Sequence, residues 1–135
     1  VETTATARLA LPLTAFAAVA AWPLCAHHSW STHYDLSRST FIGGTVARVM
    51  FRNPHSALVL SVDGPNGREE RWTIEWASPQ RLRERGITER TVRVGDEVLV
   101  TGNPHRDPKV RSLRVESVRR ASDGAELGVD TPASP

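Results

Sequence analysis

The stretch REERWTIEWASPQRLRERG, residues 68–86, changes its period halfway along. In the first half Trp72, Ile74 and Trp76 fall on one side of an extended chain, with Arg71, Thr73 and Glu75 on the other. That two-residue alternation marks a strand with one buried face. Two large aromatics on the same side read as core rather than as a stacking platform, because large rings dominate the packing of a small interior. In the second half Ser78 stands where an N-cap belongs, Pro79 fits the first helical position and Gly86 suits a C-terminal stop. A strand running straight into a short helix is therefore expected.

Working outward, TFIGGTVARVMF (residues 40–51) is rich in β-branched and aromatic residues, and its Gly43-Gly44 pair suits a bend or bulge. SALVLSV (56–62) reads as a second strand, joined to the third by the hairpin residues DGPNG (63–67). Downstream, VRVGDEVLVTG (92–102) carries a Gly95-Asp96 turn and a fourth strand, and a fifth is expected over 110–118. The order is β-β-β-α-β-β. It predicts an all-β domain with one short helix, a small barrel of the oligonucleotide/oligosaccharide-binding (OB-like) type over residues 40–119. Residues 27–39 lack periodicity and read as an extended arm; residues 120–135 are polar and carry Pro and Gly, so a disordered tail is expected.

A chain of 135 residues has room for one core. Its net charge of +2 permits an anionic partner without demanding one. Residues 9–22, LALPLTAFAAVAAW, form an apolar run of signal-peptide length, with Ala26 at a plausible cleavage position. The run is short and Ala-rich for a transmembrane span. Export to the periplasm or beyond is the expectation. It speaks against nucleic acid as a partner, and against the membrane once the leader is gone. Cleavage after Ala26 also removes Cys25, the only cysteine, and with it any disulfide or thiolate metal site.

The tripeptide Asn-Pro-His occurs twice, at Asn53-Pro54-His55 and Asn103-Pro104-His105. In an OB-like barrel these fall in the loops joining strands one and two and strands four and five, which frame the binding face. Turn chemistry explains the Asn and the Pro, but it does not select His. Strands one and four are antiparallel neighbours, so the two loops are expected toward opposite ends of the barrel. That makes His55 the stronger ligand candidate and His105 the weaker. The arm adds His27, His28 and His33. An N-terminal His27 would offer an amine and a ring nitrogen together, and tetragonal nitrogen sites suit Cu(II) or Ni(II).

Taken together, His-His-Ser at His27, His28 and Ser29, the Asn53-Pro54-His55 turn, EWASPQRLRERG (75–86) and VGDEVLVTG (94–102) resemble a family of small exported bacterial proteins of unknown function. The resemblance covers roughly residues 27–118. It implies export from a Gram-negative cell and a small β-barrel. It implies no established activity, and it makes His27, His28, Ser29, Asn53, Pro54 and His55 the signature polar positions. The second Asn-Pro-His is not a feature of that pattern.

The leading functional expectation is a non-enzymatic periplasmic binding protein. Copper or another divalent transition metal would be held by His27, His28 and His55, with His33 and His105 as further candidates. A second is an interaction module that docks a partner protein or glycan through its loop face, with the histidines as hydrogen-bonding groups. A third is a copper-dependent oxygenase. No convincing carboxylate pair or nucleophile–base pair stands out; Glu75 and Asp35 are candidates only by elimination. Arg81, Arg83, Arg85, Arg90 and Arg93 around the helix read as a solvated basic face.

Overall fold

The computed structural model describes residues 30–129. Its elements are α1 (Trp30–His33), β1 (Thr40–Met50), β2 (Ala57–Asp63), β3 (Glu69–Glu75), α2 (Pro79–Glu84), β4 (Glu97–Pro104), β5 (Ser112–Arg120) and β6 (Glu126–Val129). Hydrogen-bonded neighbours run β3-β2-β1-β4-β5-β6, and a further β3–β5 pairing closes the ring. All pairings are antiparallel except the closing one, in which Thr73, Ile74 and Glu75 run parallel to Ser112, Leu113 and Arg114. Five strands thus form a closed mixed barrel with a helix between the third and the fourth, the OB-like architecture expected. Bulges at Ala47 in β1 and at Glu116 in β5, opposite Thr101 and Gly102, give the strands the bend that closure of so small a ring requires.

The alternation in β3 does what its pattern implies. Ile74 and Trp76 are fully buried, and Trp72 packs against the same cluster from a half-buried position. Val46, Leu58, Leu60, Val98, Val100, Val115 and Val118 supply the other inward positions. The helix α2 drops Leu82 into one end of this core. It begins as its sequence dictates: the Ser78 hydroxyl accepts from the Arg81 amide, Pro79 sits in the first turn, and Gly86 ends the run at φ 76°. Of the arginines around it, Arg83 pairs with Glu89 and lies over the Phe51 ring, while Arg85 donates to the Val129 carbonyl.

Three expectations change. The described part of the arm is not extended: Trp30–His33 form one helical turn, closed by Tyr34 N–H donating to the Trp30 carbonyl. Glu126–Val129 are not a disordered tail but a sixth strand against the C-terminal half of β5. Leu127 and Gly128 are the reason: Leu127 joins the core, and Gly128 lies so close to Trp76 and Ile87 that no side chain fits there. Finally, the second Asn-Pro-His is not a turn. Asn103 and Pro104 continue β4 opposite Arg114 and Leu113, and His105 makes an isolated bridge with Tyr34.

Gly102 shows how tightly β4 and β5 approach at this point, since a Cβ there would run into the Arg114 carbonyl oxygen. Gly102→Ala is expected to destabilise the fold by about 1–3 kcal/mol through backbone displacement. Urea denaturation followed by far-UV circular dichroism checks it. Gly67→Ala, where φ is positive but the surroundings are open, costs only the local backbone term of about 1 kcal/mol.

Candidate functional site

At one rim of the barrel lies a cleft of about 430 Å³, lined by Trp30, His33 and Tyr34 from the arm, Pro54 and His55 from the β1–β2 loop, Thr73 and Glu75 from β3, His105, Val110 and Arg111 from the β4–β5 connection, and Ser112 at the start of β5. Three imidazoles from segments far apart in the chain therefore share one hollow. The expectation that His55 and His105 stand at opposite ends of the barrel is overturned. Comparing β1 with β4 alone leaves out the far side of the ring. Ala57 pairs with Glu75, Glu75 with Arg114, and Arg114 with Asn103, so closure through β3 and β5 brings the two loops to the same rim.

The arm reaches this rim because the barrel holds it there. Asp35 N–H donates to the Pro104 carbonyl, Arg106 N–H to the His33 carbonyl, and the Arg106 side chain to the Ser31 carbonyl. Asn103, almost fully buried, is the centre of the attachment. Its amide NH₂ donates to the Arg38 carbonyl and to Glu116, each at 2.8 Å, and its oxygen accepts from Arg114 at 3.0 Å. The Arg114 guanidinium in turn lies 5.5 Å from the centre of the Trp30 ring, a cation–π contact. The first tripeptide works differently: Asn53 and Pro54 are exposed in a loop, joined by a cis peptide bond.

Within the cleft each ring has a defined neighbour. His55 stacks on Trp30 with centroids 4.1 Å apart, and its Nδ1 lies 3.9 Å from Glu75. His33 and His105 lie nearly parallel with centroids 6.1 Å apart, and His105 meets the Tyr34 ring edge-on. The Asp107 backbone N–H donates to His105 Nδ1 at 3.0 Å. The Asp107 carbonyl lies 3.3 Å from the same nitrogen. Arg111 is held by a bidentate pair with Glu70 at 2.8 and 2.9 Å, and those hydrogen bonds keep the Glu70 carboxyl below its ordinary range.

Tyr34 is buried, and its hydroxyl lies 2.8 Å from the Ser112 hydroxyl, which donates to the Thr73 carbonyl. Burial pushes the phenol up to about 12, with the Glu75 charge adding to the rise and the Ser112 hydrogen bond opposing it. Tyr34 is the single tyrosine, so absorbance near the phenolate band reports it alone. The midpoint is expected at about 12 in the folded protein and near 10 after denaturation. The unfolded chain releases this proton first. The stabilisation is thus complete below pH ~10 and is lost as pH rises toward ~12, by about 2–3 kcal/mol in all. A folded-state midpoint near 10 would mean that the arm is not seated.

Of the residues singled out from sequence, His33, Pro54, His55 and His105 line the cleft, and Asn53 stands beside it in the loop. His27, His28 and Ser29 lie outside the described residues. Among the described residues no group of three or more His, Cys, Asp or Glu side chains is placed to hold one ion. Sequence reasoning missed Trp30, Tyr34 and Ser112. A signal for the first two was present: Trp30, His33 and Tyr34 stand at i, i+3 and i+4, a spacing that brings side chains together on a helical turn.

The closed barrel and its rim cleft place this molecule among small OB-like domains. The chain belongs to DUF6152, a family of unknown function whose model matches residues 14–114. No curated protein matches the chain. Among solved structures it is similar to the S. pombe Stn1–Ten1 complex, at 16% identity over 64% of this chain and 60% of that chain, with a TM-score of 0.48. It is also similar to the S. cerevisiae mitochondrial single-stranded DNA binding protein Rim1, at 15% identity over 62% of this chain and 93% of that chain, with a TM-score of 0.48. The likeness is one of fold. No helix among the described residues is long and apolar enough to cross a membrane.

Proposed function

We propose that the protein is a non-enzymatic binding module that works outside the cytoplasm, and that its ligand site is the rim cleft. The observation that carries this is convergence. His33 and Tyr34 from the arm, His55, Glu75 and His105 come from four separate segments and line one hollow of about 430 Å³, the size of a small-ligand site. The leader-like residues 9–26 support export. Binding is favoured over catalysis because two of the cleft's hydroxyls are committed to structure: those of Tyr34 and Ser112 bond to each other, and Ser112 donates to the Thr73 carbonyl. A fragment screen by ¹H–¹⁵N NMR tests the assignment. Hits are expected to shift the amides of His55, Thr73, Glu75 and His105. Hits that gather instead at the hollow around Gly44, Asp63 and Glu97 on another part of the surface would refute it.

A second reading places a copper-like ion, or another divalent transition metal, in the same cleft. It is favoured by the position of His33, beside His105 on an arm that leads back to His27 and His28. The N-terminal residues would supply the remaining nitrogen ligands. Titration with Cu(II) should then give a visible d–d band that is lost or shifted in His33→Ala and His55→Ala. An unchanged band in both variants removes the cleft from the metal reading.

A further inference from the structure

We infer that the occupant of the cleft is an extended peptide segment of a partner protein, with a basic side chain over Glu75 and an acidic one toward Arg52. This rests on the rim cleft being the ligand site. A second hollow of about 290 Å³ adjoins the first, lined by Met50, Arg52, Asn53, Ser56 and Ala57. The two share Pro54, His55, Thr73 and Glu75, so they adjoin beside the β2–β3 pair, and together they are proposed as one trough. A compact ligand fills one hollow; only an elongated one uses both.

The charges along the trough select the kind of chain. Glu75 stands in the middle, where both hollows meet. Arg111 at one end is already matched by Glu70, and Arg52 at the other is exposed with no ion-pair partner among the described residues. The trough is therefore anionic at its centre and cationic at one end. A polyanion fits this badly, since nucleic acid needs a continuous basic track with free stacking platforms. A glycan needs an open aromatic face, and Trp30 is occupied by His55 at 4.1 Å and by Arg114 at 5.5 Å. A peptide fits. Its backbone carries donors and acceptors at every residue, which suits a hollow lined by His55, Thr73, Glu75 and Asn53. Its alternating side chains suit a trough with Met50 and Val110 among its walls.

The test uses the ¹⁵N-labelled full chain and four probes: a pool of capped pentapeptides of the form Xaa-Lys-Xaa-Asp-Xaa, copper(II) chloride, chitotetraose and a short oligothymidylate. The peptide pool is expected to shift amides at both ends of the trough, Arg52 and Ser112. Glu75→Gln, which preserves shape, should weaken the response about threefold, the size of an exposed ion pair. A pool with both charges inverted should bind less well than the first. Shifts confined to one hollow, or no loss in Glu75→Gln, would overturn the extended occupant. Shifts at cleft amides from copper(II), chitotetraose or oligothymidylate but not from the peptides would overturn the peptide and leave the cleft intact. Silence at cleft amides with every probe would overturn both.

Discussion

Trp76→Ala is expected to cost about 3–5 kcal/mol, a large share of the ~5–15 kcal/mol that holds a domain of this kind together. The indole is 1% exposed and lies where β3 gives way to α2, with Ile87 and Gly128 against it. Removing it opens a cavity where barrel, helix connection and sixth strand meet. Urea denaturation monitored by circular dichroism should show a much lower midpoint, or no folded baseline. Trp76→Phe separates packing from polarity. The indole N–H has no hydrogen-bond partner among the described residues, so the phenyl ring gives up no bond. Its cost should stay near 1.5 kcal/mol or below. If both substitutions cost the same, the residue is not held by shape.

The second large effect concerns the repeated tripeptide. Asn103→Ala removes hydrogen bonds to Arg38, Glu116 and Arg114 and leaves the buried Arg114 without an acceptor it has in the native fold. A loss of about 3 kcal/mol or more is expected. The arm should loosen with it, which gives a readout that stability alone does not. The Tyr34 titration midpoint should fall from about 12 toward 10. Asn53→Ala, the same change in the other copy, should stay within about 0.5 kcal/mol because that side chain is exposed. Equal effects at the two positions would mean that the copies are equivalent after all.

That contrast shows where local pattern stops being informative. Residues 68–86 announce their structure because strand alternation and helix caps are short-range: Trp72, Ile74 and Trp76 need only a two-residue period, and Ser78, Pro79 and Gly86 act within one turn. Asn-Pro-His carries no such instruction. At Asn53 it follows the end of β1 and becomes a loop; at Asn103 it lies just past the register shift opposite Glu116 and is captured by β5. The meeting of His55 with His105 was equally hidden, because it depends on the parallel β3–β5 pairing, a contact between segments nearly forty residues apart. The sixth strand was masked by its composition: Gly128 reads as a breaker until one sees that only glycine fits against Trp76. The arm histidines carry an obvious chemistry of their own, whereas Trp30 and Tyr34 reveal their part in seating the arm only through contacts with Arg114, His55 and Ser112.

The cleft is walled on one side by the arm and on the other by the barrel rim, joined largely through Asn103, Arg106 and Tyr34. An occupant that touches both walls acts as a clasp and prefers the assembled state to one in which the arm has peeled away. Affinity then becomes heat resistance: a compound present at a hundred times its dissociation constant adds about 2.7 kcal/mol to unfolding. Melting-point shifts can therefore rank unknown metabolites, ions and peptides without a label or an assay.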